Sequence, residues 1–288
     1  MGAALSAFDH AAFKAAAREQ WDQSALGWSA HAPQIRAWLR QATVTMLDMA
    51  RVGADMHVLD LAAGAGDQTI DVARRVGSRG RVLATDLSPV ILELAQENAR
   101  RAGLDNVRFL VADGESLPVE PERFDAAVCR LGLMLFPDPL AGLREVHRVL
   151  RPGAGICTVV FSGPQHNPCL GILMSTALEH AGLAARDPCQ PGALMSLGEP
   201  DLVDGLFRNA GFQDVASTRL AAPFRLPSVR DYLDFVRSSA SPIQQILGRL
   251  AAAAQKAAWD DMAFKLERFT TAAGWVGPNE LLLTAARR

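Results

Sequence analysis

Three aspartates, Asp60, Asp86 and Asp113, stand about 26 residues apart, each where a short apolar run gives out. Between the first two lies Ala62-Ala63-Gly64-Ala65-Gly66-Asp67. Gly64 and Gly66 let a backbone turn sharply and approach a ligand with no β-carbon in the way. A carboxylate at the end of a second strand can accept both hydroxyls of a ribose. One at the end of a third strand is suited to an adenine amino group. Any one of these residues alone would mean a tight turn or a helix cap. Together they outline a nucleoside site.

The elements that must hold these residues are legible as periodicities. Met56–Ala63 reads as a first strand, followed by a helix with Ile70, Ala73 and Val76 on its inner face and Gly77 at its end. Arg81–Asp86 is a second strand. Ser88-Pro89 then supplies an N-cap and a proline at the first helical position, and the helix runs through Leu94, Ala95, Ala99 and Ala102 to Gly103. Val107, Phe109 and Val111 alternate along a third strand ending at Asp113. Phe124–Leu131 is a fourth. Asp138-Pro139 opens a helix with Leu143, Val146 and Leu150 inward, broken by Pro152-Gly153, before a fifth strand at Gly155–Phe161. Pro200–Ala210 is a helix stopped by Gly211. Phe212–Leu220 and Glu280–Ala286 are a sixth and a seventh strand. Strands separated by helices imply parallel pairing through right-handed crossovers, hence an α/β layered sheet.

Met56 to Ser162 resembles the class I S-adenosylmethionine-dependent methyltransferases. Val58-Leu59-Asp60-Leu61-Ala62-Ala63-Gly64-Ala65-Gly66 is similar to the family's first motif, departing from it at Ala62, where glycine is usual. Ala84-Thr85-Asp86-Leu87-Ser88 resembles the second motif, and Val111-Ala112-Asp113-Gly114-Glu115-Ser116-Leu117-Pro118 the adenine-binding segment. Glu145-Val146-His147-Arg148-Val149-Leu150-Arg151-Pro152-Gly153 resembles a signature of the branch related to ubiquinone and menaquinone biosynthesis. The resemblance implies a Rossmann-like, seven-stranded, mostly parallel sheet with helices on both faces and a helical lid. It also implies S-adenosylmethionine as cofactor and S-adenosylhomocysteine as product. The cofactor residues would be Asp60, Ala62, Gly64, Gly66, Gln68, Thr69, Asp86, Leu87, Ala112, Asp113, Gly114, Arg130 and Trp28. The start of the helix at Gln68 and Thr69 would favour a carboxylate.

Trp21 to Trp28 resembles the N-terminal segment that folds over the cofactor in this family. Arg130, at the end of the fourth strand, occupies the place where the family sets residues beside the transferred methyl; it would pair with the cofactor carboxylate, an acidic substrate group or Asp60. For a general base the candidates are His166, just after the fifth strand, and His31, near the tryptophans. A lone histidine is more often a surface or core residue, and His147 reads as structural. Methyl transfer from a sulfonium needs no metal. Cys129, Cys157, Cys169 and Cys189 are scattered without a C-x-x-C pair, so a zinc site is not expected and reduced thiols are.

A nicotinamide site is the rival use of such a sheet. The run Gly64-Ala65-Gly66-Asp67-Gln68-Thr69 lacks the third glycine of that fingerprint, and Tyr232 has no lysine four residues later.

Net charge is −2 over 288 residues, with 49% hydrophobic and 21% charged residues. That balance gives no general attraction to nucleic acid or anionic membranes. No secretory signal and no membrane span are legible, so a cytoplasmic, bacterial enzyme is expected. Met1-Gly2 with Ser6 matches a myristoylation pattern, but the Ala/Arg-rich composition points to a bacterium, where that modification is not expected. The expected organisation is a helical lid over 1–50, a cofactor-binding core over 51–163, a lid insert at 164–198, a core continuation at 199–222, a helical lid insert at 223–278 and a last strand at 279–288. Met174, Met195, Phe224, Phe235 and Trp275 make the inserts apolar. The expected activity is methylation of a small, apolar or aromatic metabolite. The alternative is a catalytically inactive S-adenosylmethionine-binding protein with a regulatory or accessory role. Oligomeric state is not legible.

Overall fold

The computed structural model describes residues 9–288. The myristoylation pattern at Met1-Gly2 and Ser6 lies outside them. In chain order the elements are α1 (His10–Ala30), α2 (Ala32–Met49), β1 (His57–Leu61), α3 (Asp67–Val76), β2 (Arg81–Asp86), α4 (Pro89–Arg101), β3 (Val107–Val111), β4 (Phe124–Arg130), α5 (Pro139–Val149) and β5 (Leu150–Phe161). Then come α6 (Pro168–His180), α7 (Pro200–Asn209), β6 (Gln213–Ala221), β7 (Phe224–Leu226), α8 (Val229–Ser239), α9 (Ser241–Leu247), α10 (Ala252–Leu266), β8 (Thr270–Thr271), β9 (Gly274–Gly277) and β10 (Glu280–Arg287).

Seven strands form one sheet in the order β3-β2-β1-β4-β5-β10-β6. The first five of these run parallel, and β10 is antiparallel to both β5 and β6. The sheet is the expected Rossmann-like one. Chain direction across the sheet reverses between β1 and β4, and the carboxyl ends of these two strands flank the crevice where such sheets bind ligands. Helices α2, α3 and α4 touch in series and cover one face, while α5 and α7 pack together on the other. Local chemistry explains the helix starts. Ser88 Oγ accepts from the Ile91 amide at 3.1 Å and Asp138 Oδ1 from the Ala141 amide at 3.0 Å, each just before a proline that has no N–H to leave unpaired.

Several boundaries differ from the sequence expectation. Leu150 is the first residue of β5, opposite Phe124, and not the last inward face of a helix. Val149 ends the helix, and Pro152-Gly153 sits within β5 where its register to β4 shifts. The third strand ends at Val111, two residues short of Asp113, although the Ala112 amide still bonds the Asp86 carbonyl at 2.9 Å. The segment 223–278 is not purely helical. It carries a second sheet of three strands, β7-β9-β8, whose Trp275 is fully buried and stacked on Tyr232 at 4.3 Å.

That sheet, with α6, α8, α9 and α10, has a hydrophobic core of its own, distinct from the core under the large sheet. Trp38 of α2 joins the two, stacking on Phe224 at 4.7 Å and on Phe161 at 6.2 Å. Helix α2 lies against β5 and β10, whereas α1 crosses to α4, α8 and α9 and roofs the crevice. Among the described residues no helix is long and apolar enough to cross a membrane.

Candidate active site

The chain leaves β1 through a loop whose backbone is held left-handed at Ala62 (φ +54°), Gly64 (φ +56°) and Gly66 (φ +82°). A β-carbon on Gly66 would stand 2.9 Å from that of Ala95, because the start of α3 is pressed against α4. Glycine resolves both demands there. Ala62 keeps its β-carbon in a conformation that costs an L-residue about 1 kcal/mol or more. Leu131, at the end of β4, is also left-handed at φ +60°. Both line the crevice, and backbone strain held in place by its surroundings concentrates at functional sites.

Beneath the loop lies Asp60, fully buried, accepting from Gln68 Nε2 at 3.0 Å and Thr69 Oγ1 at 2.6 Å. Burial raises its pKa to about 6, against the lowering effect of those two donors and the nearby Arg130 charge. Asp60 and Thr69 therefore act from below, fixing the start of α3 so that Gln68 and Asp67 face the crevice. Arg130 is 7% exposed. Its Nη1 donates to Thr43 Oγ1 of α2 at 2.7 Å, and its Nη2 forms an ion pair with Asp67. The second oxygen of Asp67, Oδ2, is buried and has no hydrogen-bond partner among the described residues.

Asp86 sits at the end of β2 with Oδ2 accepting the Gly64 amide and Oδ1 the Ser88 amide, both at 3.0 Å. Its pKa is raised by burial, with the backbone donors working the other way. Each oxygen keeps a lone pair, so the carboxylate retains acceptor capacity for hydroxyls. Leu87, Ala112 and Gly114 continue the wall. Gly114 lies against the Phe136 ring, where a β-carbon would come within 2.5 Å of Cζ. That close approach makes a thin apolar shelf suited to a planar base.

Helix α1 closes the other side. Phe13, Lys14, Ala17, Trp21 and Trp28 line the crevice, and its empty volume is about 1130 Å³ with the open mouth included. Trp21 and Trp28 lie 5.8 Å apart, and Trp28 Nε1 donates to the Ser239 carbonyl at 3.2 Å. Lys14, Glu115, Asp67, Asp22 and Thr43 were not among the sequence candidates. Lys14, Trp21 and Trp28 recur every seven residues on a helix, a spacing that puts them on one face.

Neither histidine candidate reaches the crevice. His31 sits in the joint between α1 and α2, its Nδ1 2.9 Å from the Gly27 carbonyl oxygen and its ring 5.3 Å from Phe235. His166 lies in a short turn after β5, 3.8 Å from Glu280, and does not line the crevice. The expectation chose them by residue type and nearness in sequence, and the helix joint and the turn carry them elsewhere. His147 packs against Phe212 at 5.0 Å. Cys129, Cys157 and Cys169 are buried, and burial pushes the Cys129 thiol up to about 12. Among the described residues no group of three or more His, Cys, Asp or Glu side chains could hold a metal.

The donor set fits S-adenosylmethionine. Glycines open the loop, a carboxylate with spare lone pairs ends β2, an apolar shelf lies beside Asp113, and the Arg130–Asp67 pair offers both charges toward an amino-acid group. A Rossmann-like sheet with a nucleoside crevice at its switch point is the frame on which methyltransferases of this cofactor are built. The model of the ubiE/COQ5 methyltransferase family matches residues 31–175, half of the chain, and the chain belongs to that family. It is 36% identical over 130 residues to the ubiquinone/menaquinone biosynthesis C-methyltransferase UbiE of Idiomarina loihiensis, covering 45% of this chain and 50% of that one. The chain thus spans about half the length of such relatives. Among solved structures, the YcgJ protein of Bacillus subtilis superposes with a TM-score of 0.57 at 20% identity, over 86% of this chain and 99% of that one. A putative methyltransferase of Bacillus halodurans gives 0.55 at 20% identity, over 85% and 97%. These two establish likeness of fold.

Proposed function

We propose that the chain transfers a methyl group from S-adenosylmethionine to a small, apolar or aromatic metabolite. One observation carries this reading: a single crevice joins Asp86, Asp113 and the glycine loop to an aromatic roof of Phe13, Trp21, Trp28 and Phe136. When bound, the cofactor supplies a methyl already activated on a sulfonium. The chain's own task is then to orient two molecules and exclude water.

Asp86 holds the ribose hydroxyls, and Ala112, Gly114 and Phe136 form one wall against the base. Arg130 pairs with the carboxylate of the amino-acid group, its guanidinium kept flat and in place by Thr43 and Asp67. The tryptophans and Leu131 hold the acceptor by apolar contact. Each ionisable side chain on the crevice wall holds at least one partner among the described residues, and the acceptor is presented to the methyl by shape. The name of the UbiE relatives, a C-methyltransferase of quinone biosynthesis, is consistent with an aromatic acceptor.

Calorimetry with S-adenosylmethionine tests the cofactor reading, and saturable one-site binding is expected. Turnover against phenols, quinols and amines, followed by release of S-adenosylhomocysteine, tests the reaction. Binding without any turnover across the panel would reject the enzyme reading in favour of a binding protein.

A further inference from the structure

Lys14 is held in an unusually rigid frame for a lysine on an exposed helix. Its Nζ lies 2.7 Å from Asp113 Oδ2 and 2.5 Å from Glu115 Oε2. Each of those carboxylates spends its other oxygen on a backbone amide: Asp113 Oδ1 accepts from the Glu115 N–H at 2.9 Å, and Glu115 Oε1 from the Asp138 N–H at 2.8 Å. The two carboxylates are thus pinned by main chain, and together they pin the ammonium. All three residues line the crevice. Helix α1 is held at a second point, where Ser88 Oγ donates to Asp22 one residue beyond Leu87. So the helix arrives beside the nucleoside-binding strand ends with its lysine already placed.

An ordinary surface lysine would not repay the loss of its rotamer freedom in this way. Two buried-edge contacts use two of the three ammonium hydrogens. Among the described residues the third meets no carboxylate, and Lys14 lines the crevice. Burial works against the charge, but the two carboxylates outweigh it and the lysine stays protonated, its pKa raised.

We infer that Lys14 is a base-reading residue: beside Asp113, which accepts from an adenine amino group, its ammonium donates to a neighbouring ring nitrogen. This deepens the cofactor reading above and rests on it. Adenine presents its amino group between two acceptors, N1 and N7. A side-by-side acceptor and donor match such an edge as an amide does when it reads adenine in a nucleic-acid groove. Asp113 alone would accept any amino group. Adding Lys14 makes the site demand a lone pair next to it. The lid helix therefore helps to choose the nucleobase and does not merely cover it.

The test measures dissociation constants of S-adenosylhomocysteine and of its 1-deaza and 7-deaza analogues, in which one ring nitrogen becomes C–H. In the unaltered protein one of the two analogues is expected to bind about tenfold more weakly than the parent, the loss of one charge-assisted contact. In Lys14→Met that penalty should shrink to less than about twofold, while the other analogue keeps its original ratio to the parent. Lys14→Arg keeps a cationic donor and should keep most of the penalty. Ratios are taken within one protein, so a loosened α1 cancels. If Lys14→Met weakens all three ligands by one common factor, Lys14 is only a latch and the inference is overturned. Equal binding of all three ligands by the unaltered protein overturns it too. Failure of S-adenosylhomocysteine itself to bind would instead reject the cofactor reading.

Discussion

Ala62 and Gly132 are pressed together so closely that a β-carbon on Gly132 would stand 2.4 Å from that of Ala62. The loop after β1 and the turn after β4 thus touch through one methyl group, with room for no second. Gly132→Ala should destabilise the protein by about 1–3 kcal/mol, the range of overpacked cores. Ala62→Gly alone should cost little, because it removes a left-handed alanine while leaving a small void. The pair Ala62→Gly with Gly132→Ala should recover most of the loss, apart from the remaining approach to Cys129 Sγ at 3.1 Å. Urea melts of the three variants check the coupling, and simple additivity would contradict it.

Arg130→Ala should lower both stability and affinity. It strands the Asp67 carboxylate, whose Oδ2 already lacks a partner among the described residues, and such a broken buried pair costs about 3 kcal/mol. S-adenosylhomocysteine should bind more than about tenfold more weakly. Adding Asp67→Asn should restore melting temperature without restoring affinity. Recovery of both would make the pair purely structural.

Stability should depend on Asp60 between about pH 4 and pH 6. Its folded pKa of about 6 lies above the ordinary aspartate value of 3.8, so the native state holds this proton more tightly than the unfolded chain does. The stabilisation is full below about pH 4 and is lost as pH rises through about 6, an effect on the order of 2–3 kcal/mol. Asp60→Asn should lack that loss, since Gln68 and Thr69 can each turn to meet an amide. The difference in unfolding free energy between the two proteins, followed from pH 4 to 7, should therefore shift toward the variant. A difference constant with pH would contradict the assignment.

Asp86→Asn should weaken S-adenosylmethionine binding by about tenfold or more. An amide nitrogen would face either the Gly64 or the Ser88 amide, both donors, and would offer one fewer acceptor to the ribose. Calorimetry checks this, and an unchanged dissociation constant would remove Asp86 from the site.

The strands that bring up Asp60, Asp86 and Asp113 were legible because apolar runs bounded by Gly, Ser-Pro and Asp have a clear local signature, although the third stops at Val111 and leaves Asp113 in the loop beyond it. Leu150 was misread because the helical spacing of Leu143, Val146 and Leu150 continues past the true helix end, and only pairing with Phe124 decides otherwise. The small sheet escaped because strands of two to four residues leave no alternation to detect. Lys14 and Glu115 were missed for another reason. Their role comes from tertiary contact between α1 and the loop after β3, across 99 residues in the case of Lys14 and Asp113. The histidines failed in the opposite sense, since residue type suggested chemistry that their positions do not support.

Ala222 donates its amide to the Asn279 carbonyl at 2.8 Å, so the segment between them, which shares the second hydrophobic core with α6, leaves the large sheet and returns to it at a single doorway. An insert whose two ends meet can be replaced without re-threading the strands on either side. The segment between Ala222 and Asn279 is thus a side room hung from one hydrogen-bonded gate, and among the described residues it reaches the crevice only through the α1 roof, whose Trp28 donates to its Ser239 carbonyl.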